Sequence, residues 1–265
     1  MRAFAKTFIA IVVVFLAASA LNASQPLETE TARLLPAGGM KIEAATELQR
    51  SRDGRERAWP FVFEYGLTNR TELTIEPVFA TAIRPRSGRS ANGFGDVEMT
   101  LTHLLLAETA GGPAFAVAAE IKFPTARNSL IGTRKTDYTA WAIASKRFER
   151  FDVHGNLGIT VVGRPAGVRL HNIVDYALAE EFHLSPRFDI VSEFVGNTSS
   201  TGETTEGAPA PGSGTLPPEA AAAESSILLG GRYFIRPALF FSLGLSYDNN
   251  HALLIRPGIT YRFGR

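Results

Sequence analysis

The stretch that closes the chain, residues 253–263, alternates in character at every second residue. One set is Leu253, Ile255, Pro257, Ile259, Tyr261 and Phe263, and the other is Leu254, Arg256, Gly258, Thr260 and Arg262. Successive side chains of a β-strand point to opposite faces, so this stretch predicts a ribbon with one apolar and one mainly polar face. Its length, about eleven residues, is what a tilted transmembrane strand requires. The two aromatic residues that end its apolar face are typical of a membrane interface.

The same two-residue period recurs along the chain in about twelve stretches. They are residues 40–49, 61–68, 72–79, 96–102, 115–123, 138–146, 153–161, 174–179, 187–194, 227–233, 239–247 and 253–263. The connections alternate long and short, beginning with a long one, except for the short tip of the last hairpin. A barrel entered from the periplasm has this order. The sequence therefore predicts an all-β, transmembrane, antiparallel up-and-down β-barrel of about 12 strands, with a soluble β fold as the alternative.

Three positions weaken the pattern. Thr46 interrupts the apolar side of the first predicted strand. Pro77 cannot donate a ladder hydrogen bond, so it predicts a bulge or local kink in the third strand. The sixth strand, residues 138–146, is the least clear because both its faces are mostly apolar or small.

The N-terminus has the features of a secretory signal peptide. Arg2 and Lys6 precede an apolar run at residues 8–17, and small residues follow it. Residues 1–20 are therefore predicted to be a signal peptide, residues 21–38 a short periplasmic lead, and residues 39–263 an outer-membrane barrel. A retained anchor helix is the alternative for the first segment. Within the barrel, residues 197–225 lack apolar periodicity and predict a disordered extracellular loop, with an interdomain linker as the alternative.

Composition excludes several classes of protein and site. Apolar residues make up 45% of the chain, which fits neither a disordered chain nor a bundle of membrane helices. The chain has 0 cysteines, which rules out a disulfide framework, thiolate metal sites and a cysteine nucleophile. A formal net charge of +1 argues against nucleic acid as a partner.

From Phe61 onward the chain resembles the outer-membrane β-barrel family that is named for the meta-cleavage pathway of phenol degradation. The resemblance is carried by residues 64–73, 93–98 and 120–125, and also by residues 135–138, 184–189, 196–198 and 261–263. It implies an outer-membrane barrel that is inserted by the assembly machinery of a Gram-negative bacterium and moves small molecules. It brings no catalytic motif. The chain departs from the usual pattern in that Gly264 and Arg265 follow the terminal aromatic residue.

The polar faces of the predicted strands would line the lumen. The candidate pore-lining residues are Glu64, Glu72, Glu76, Asp96, Glu98, Glu120, Lys122, Asp189, Glu193, Arg232, Arg256 and Arg262. The acids cluster on the second to fifth strands, whereas most of the arginines lie on the tenth and twelfth. Two interpretations remain open: a transverse field that orients polar or zwitterionic solutes, and a network of ion pairs that fills a narrow barrel.

Basic residues are concentrated in the predicted outer loops. They are Arg50, Arg52, Arg55, Arg57, Arg84, Arg86, Arg89, Arg134 and Lys135. Arginine binds phosphate through two parallel hydrogen bonds, so these loops predict contact with outer-membrane lipid, and with lipopolysaccharide in particular. Capture of anionic solutes and an ordinary solvated loop are the alternatives.

No signature of an enzyme or a metal site is present. The five histidines fall on different strands and turns, so neither a metal nor another cofactor is predicted. His154 with Asp152 or Ser145 could suggest a hydrolase, but no motif joins a nucleophile, a base and an acid. The sequence thus predicts a non-enzymatic channel or transporter for a small-molecule solute, working passively or through weak sites. A structural barrel with surface loops and a barrel hydrolase remain as alternatives.

Overall fold

The computed structural model describes residues 24–165, 170–200 and 223–264, and every regular element within them is a β-strand. The strands are β1 (Met40–Ala45), β2 (Glu47–Arg50), β3 (Gly54–Thr68), β4 (Thr71–Pro85), β5 (Ala91–Gly93), β6 (Val97–Leu106), β7 (Ala114–Phe123), β8 (Asp137–Phe148), β9 (Phe151–Val161), β10 (Ile173–Ser185), β11 (Phe188–Asn197), β12 (Ser225–Arg236), β13 (Leu239–Asp248) and β14 (Leu253–Phe263). Among these residues no helix is long and apolar enough to cross a membrane.

The strands form one closed antiparallel sheet. Strands that follow one another in sequence pair with each other, except β1 with β2 and β5 with β6, and β14 returns to pair with β1 in a register that places Met40 opposite Phe263. β1 and β2 are two parts of one wall strand, because both pair with β3 and β14. β5 and β6 are two parts of another, because both pair with β4. The wall therefore has 12 strands, which confirms the predicted barrel. Among the described strands, only the short β5 keeps one edge without a strand partner.

The outer surface of the wall is apolar. Leu157, Ile159 and Leu229 are 57%, 58% and 62% exposed there. Aromatic side chains gather near the strand ends, where the rings of Tyr261 and Phe263 lie 4.4 Å apart. A continuous apolar band of this extent is unfavourable in water and matches the lipid-facing band of a transmembrane barrel.

The weak points of the sequence pattern correspond to real features of the wall. The ladder breaks at Thr46, between β1 and β2. β4 pairs with β6 only as far as Pro77, and the register between β3 and β4 shifts just beyond that residue. A cavity of about 590 Å³ lies at this defect and is lined by Phe79, Phe94 and Arg127 among others. The unclear sixth strand exists and is longer than predicted, at Asp137–Phe148.

Two predictions about the connections were wrong. The first outer connection is short, residues 51–53, because the ladder between β3 and β4 continues for 15 residues on each strand. As a result, four of the arginines predicted in loops lie on strands: Arg50, Arg55, Arg57 and Arg84. The other predicted loop residues do lie in connections: Arg52, Arg86, Arg89, Arg134 and Lys135.

Two further predictions fall on parts of the chain that the structure does not describe. The predicted signal peptide, residues 1–20, lies outside the described residues. So does most of the predicted extracellular loop at 197–225, of which residues 201–222 are not described.

A charge on the apolar outer face should destabilise the barrel. Leu157 lies near the middle of β9, with its side chain facing outward. We expect Leu157→Arg to lower the free energy of unfolding by about 2–4 kcal/mol, as arginine does on the lipid face near the bilayer midplane. Urea unfolding in phospholipid vesicles measures this change. Leu157→Met is the control and should cost less than about 1.5 kcal/mol, whereas an equal loss in both variants would argue against a lipid-facing position.

Candidate functional site

The segment before β1 lies inside the barrel. Residues 24–38 contain no strand, as expected for a lead sequence, but they do not extend into the periplasm as predicted. Leu27, Thr29, Thr31 and Ala32 are each less than 7% exposed, and their partners are inward-facing side chains of the wall. We call residues 24–38 the lumen segment. Its polar backbone finds partners there because the inner face of the wall carries charged and hydroxyl side chains.

Arg232 on β12 binds the first residues of the lumen segment. Its guanidinium donates to the carbonyl oxygen of Gln25 at 2.9 Å and to that of Ser24. It also donates to Glu181 Oε2 at 2.7 Å, and both side chains are almost completely buried. A buried arginine with a carboxylate and two carbonyl partners is well compensated for its loss of hydration.

Arg256 on β14 binds the next residues of the lumen segment, Pro26 and Glu28. It donates to the carbonyl oxygen of Pro26 at 3.1 Å and to Glu28 Oε1 at 2.5 Å. Glu47, on the neighbouring β2, lies 2.9 Å from the same guanidinium. The two arginines therefore anchor one side of the lumen segment through its carbonyl groups.

Carboxylate and amide acceptors bind the middle of the segment. Glu193 on β11 accepts hydrogen bonds from the Glu28 amide at 2.8 Å, the Thr29 amide at 2.6 Å and the Thr29 hydroxyl at 2.5 Å. Asn156 on β9 accepts from the Glu30 amide at 2.7 Å and donates to the Glu30 carbonyl at 2.9 Å. These contacts satisfy backbone groups that would otherwise be buried without partners.

Arg33 fastens the segment at the periplasmic end of the barrel. It pairs with Glu108, in the β6–β7 turn, at 2.8 Å and with Asp152 on β9 at 3.2 Å. Partial burial alone would raise the pKa of Glu108, but hydrogen bonds from the Arg147 amide and from Arg33 outweigh it and hold that pKa below its ordinary value. The contribution of Glu108 to docking is therefore present at neutral pH and is lost as the pH falls through the lowered pKa.

Small and apolar side chains give the segment room to pack. Ala32 packs against side chains of β7 and β8, namely Ala114, Ala116, Ala118 and Ile143. Leu27 packs in a second cluster with Ala179, Val191 and Leu228. The polar contacts thus orient the segment, and these two clusters add apolar burial to its docking.

Two glycines allow the segment to approach the wall closely. A Cβ atom at Gly66 on β3 would overlap the carbonyl oxygen of Pro36. A Cβ atom at Gly244 on β13 would lie 2.6 Å from Cβ of Pro26, which is too close for packed carbon atoms. Because contacts come from β1 and β3 round to β13 and β14, the segment crosses the lumen rather than lining one side of it.

Ser145, His154 and Glu181 form a buried chain of polar groups beneath the segment. Ser145 Oγ lies 2.8 Å from His154 Nδ1, and His154 Nε2 lies 3.7 Å from Glu181 Oε1. Ser145 Oγ also accepts a hydrogen bond from the Ala32 amide at 2.9 Å. The order is that of a nucleophile, a base and an acid, but the second distance is too long for a hydrogen bond and the segment covers the serine.

Asp152, His154 and Glu181 bring possible metal-ligand atoms within 4.8 Å of one another. The charges around them oppose a metal ion, because the Asp152 carboxylate is already bound by Arg33, Arg147 and His183. Arg232 occupies one oxygen of Glu181. We therefore interpret the group as part of the network that binds the lumen segment.

The extracellular half of the lumen is acidic. Glu76 and Glu98 lie directly opposite each other on β4 and β6. Glu120, on β7, accepts a hydrogen bond from the Trp141 indole at 2.9 Å. Lys122 faces Glu98 across β6 and β7 and pairs with Asp137.

The predicted pore-lining residues fall into two groups. Those that bind the lumen segment, or lie in the network around it, are Glu64, Glu72, Asp189, Glu193, Arg232, Arg256 and Arg262. Those of the acidic half are Glu76, Glu98, Glu120 and Lys122. Asp96 lies just before β6 and accepts a hydrogen bond from the Ala126 amide at 2.8 Å, so it holds the β7–β8 connection in place.

Sequence reasoning missed most of the partners of the lumen segment. Ser145 and Asp152 were weighed only as parts of a hydrolase, and Glu181 lay beyond the predicted end of its strand, which continues to Ser185. Lys41 is fully buried between Glu43 and Glu64 and is not among the predicted pore-lining residues. The available signal for Lys41, Asp152 and Glu181 is their spacing, because each lies an even number of residues from the polar side chains of its strand. Ser145 lies on the sixth strand, whose two faces are not distinguished by the sequence.

Comparison with known proteins places this barrel in a family. The family model described as "Putative MetA-pathway of phenol degradation" matches residues 23–263. The chain belongs to this family. The match includes the lumen segment as well as the wall, and it agrees with the resemblance found in the sequence. No curated protein sequence matches the chain significantly.

Solved structures of outer-membrane barrels are similar in fold. An outer membrane channel from Pseudomonas putida F1 has a TM-score of 0.64 at 11% identity, covering 91% of this chain and 100% of that one. The NanC porin has a TM-score of 0.57 at 9% identity, covering 83% and 98%. The KdgM porin in complex with disordered oligogalacturonate has a TM-score of 0.55 at 9% identity, covering 84% and 99%. The chain therefore has the fold of outer-membrane β-barrels.

Loss of Arg33 should loosen the lumen segment. The chain has 0 cysteines, so Thr31→Cys supplies a unique thiol on the buried part of the segment. Arg33→Gln leaves Asp152 with its other partners, and we expect docking to weaken by about 1–2 kcal/mol, or roughly tenfold in maleimide labelling rate. Arg150→Gln, in an exposed turn at the same end, is the control. Equal labelling of all three proteins would contradict the docked arrangement.

Proposed function

We propose that this barrel is a channel for small polar solutes, that it favours cations, and that its own N-terminal segment closes it at the periplasmic end. The proposal rests on the charges and the hydrogen bonds found inside the lumen. An acidic extracellular half lies above a segment that is hydrogen-bonded to the wall on many sides.

Preference for cations follows from the charges of the extracellular half. Glu76, Glu98 and Glu120 lie near one another on β4, β6 and β7. Lys122 faces this group but is paired with Asp137, so its charge is largely compensated. Rings of carboxylates attract cations and repel anions in a narrow pore.

Trp141 adds a surface that organic cations can contact. Its indole ring lies over Gly158 on β9, where a Cβ atom would come within 2.6 Å of the ring. The indole N–H is engaged with Glu120, which orients the ring beside a carboxylate. An ammonium group gains both ion pairing and cation–π attraction at such a place. The solute class that fits best is therefore a small organic or inorganic cation.

Closure follows from the contacts of the lumen segment. Passage of a solute toward the periplasm requires the segment to leave its position or to rearrange between Ser24 and Thr31. Neither movement changes the ladder of the wall, because the hydrogen bonds of those residues go to inward-facing side chains. Opening therefore costs the docking free energy of the segment and does not disrupt the barrel.

A hydrolase is the second candidate, and the approach of Ser145 to His154 is the observation that favours it. Three features oppose it: Ser145 is 1% exposed, its oxygen accepts the Ala32 amide, and His154 Nε2 is 3.7 Å from its acid. We propose that these residues hold the segment. In Ser145→Ala, faster labelling of the lumen segment without loss of any ester-cleaving activity would support that role, whereas loss of an ester-cleaving activity would support the hydrolase.

Removing the lumen segment should open the channel. We expect the refolded mature chain to show rare, brief openings in a planar bilayer, and a variant that lacks residues 24–34 to conduct in larger and longer steps. Leu27→Asp places a charge among Ala179, Val191 and Leu228 and should act in the same direction without shortening the chain. Heat-modifiable migration on gels shows that each barrel has folded.

Two outcomes would count against this proposal. If the folded wild type and both folded variants are silent, the barrel is not a channel. If all three conduct alike, the barrel is a channel but the lumen segment does not close it.

Neutralising the acidic half should reduce cation selectivity. In the double variant Glu76→Gln/Glu98→Gln we expect the ratio of cation to anion permeability to fall severalfold, because two opposed carboxylates lose their charge. Reversal potentials under a salt gradient measure this ratio. Glu149→Gln, in an exposed periplasmic turn, is the matched control. A ratio that is unchanged in the double variant would place the ion path elsewhere.

A further inference from the structure

The outer face of the barrel carries a row of three arginines on adjacent strands. In the ladder Arg50 on β2 lies opposite Arg55 on β3, and Arg55 lies opposite Arg84 on β4. Arg57 lies two residues below Arg55 on the same face. All four side chains are exposed, and none of them forms an ion pair with a described residue. We call these four residues the arginine row.

The arginine row lies just above the apolar band. Along β3 the outward-facing residues are Arg55, Arg57, Trp59 and Phe61, and the ring of Phe61 packs against Phe79 on β4 at 4.9 Å. Aromatic residues mark the level of the membrane interface in transmembrane barrels. The guanidinium groups are therefore at the level of the lipid headgroups of the outer leaflet.

Repulsion among the guanidinium groups destabilises the arginine row, and a bound anion would offset this repulsion. Like charges directly opposite each other on neighbouring strands repel, and here two such pairs share Arg55. Ala82 has a small side chain beside them, which leaves a cavity of about 250 Å³ lined by Arg55, Arg57, Ala82 and Arg84. Guanidinium groups bind phosphate oxygens in pairs, so converging arginines around a cavity suit a phosphate group.

Placement on strands makes the row more rigid than a loop site. The turn that joins β2 to β3 is held by Ser51, whose side chain accepts the amides of Asp53 and Gly54 at 3.1 and 3.3 Å. The Arg86 amide donates to the carbonyl of Asp53 at 2.7 Å and ties the next connection to this turn. Arginines fixed in this way lose less conformational freedom when they bind a ligand.

We propose that the arginine row is a binding site for the phosphate groups of a phosphorylated glycolipid of the outer leaflet. The site acts on the outer wall and is independent of conduction through the lumen. Of the basic residues predicted to contact phosphate, only the four of the arginine row, which lie on strands, form this site. Arg52, Arg86, Arg89, Arg134 and Lys135 have no part in it.

Native mass spectrometry of the refolded mature chain with diphosphorylated lipid A tests the proposal. We expect the wild type to retain lipid A and Arg55→Gln/Arg84→Gln to bind it about tenfold more weakly, because two converging guanidinium groups are lost. Arg86→Gln/Arg89→Gln removes the same charge from the neighbouring connection and should leave binding unchanged. Arg55→Lys keeps the charge and the fold but not the paired hydrogen bonds, so it should bind with intermediate strength.

Three results would overturn the proposal. Equal weakening in the control variant would show a general effect of charge. Undiminished binding of lipid A that lacks both phosphates would show that the phosphates are not recognised. Displacement of lipid A by millimolar inorganic phosphate, with equal binding of that ion alone, would show a site for free anions instead of a lipid.

Discussion

The whole structure depends on the hydrogen-bonded seam between β1 and β14. In hydrocarbon every backbone amide and carbonyl needs a partner within the protein, and a sheet satisfies that need only when it closes on itself. The register from Met40 opposite Phe263 to Ala45 opposite Gly258 completes this closure. Once the ladder is closed, the period of two sends each side chain either to lipid or to the lumen, and the chemistry of the protein is confined to the inner face and the rims.

Charges that are almost completely buried in the lumen need partners, and this requirement explains the position of the lumen segment. Lys41, Glu181 and Arg232 are almost completely buried, and each has an oppositely charged partner on the wall. The wall also presents more donors and acceptors than it can satisfy by itself. The backbone of residues 24–33 takes up this excess, so the segment completes the polar network of the periplasmic half and is an integral part of the interior.

Most of the wall could be predicted from the sequence, because alternation is a local property of each stretch. The closing strand occurs at the predicted residues, and the breaks follow Thr46 and Pro77. The lumen segment could not be predicted, since it has no period and its partners lie far away in sequence: Glu28 is 165 residues from Glu193, and Pro26 is 230 residues from Arg256. The arginine row also required the register, because only strand pairing shows that Arg50, Arg55 and Arg84 are neighbours.

The lumen segment is joined to β1 without an intervening linker. The amides of Gly38 and Gly66 and the carbonyls of Gly66 and Gly39 form hydrogen bonds of 2.8 and 2.9 Å at the periplasmic mouth, directly before Met40. A segment that leaves the lumen therefore stays tethered within a few residues of its binding surface, at an effective concentration on the order of millimolar. Reclosure of the proposed channel is then an intramolecular event whose probability does not depend on how many barrels the membrane holds. In that proposal each barrel contains its own closing segment, which returns to its place after every opening.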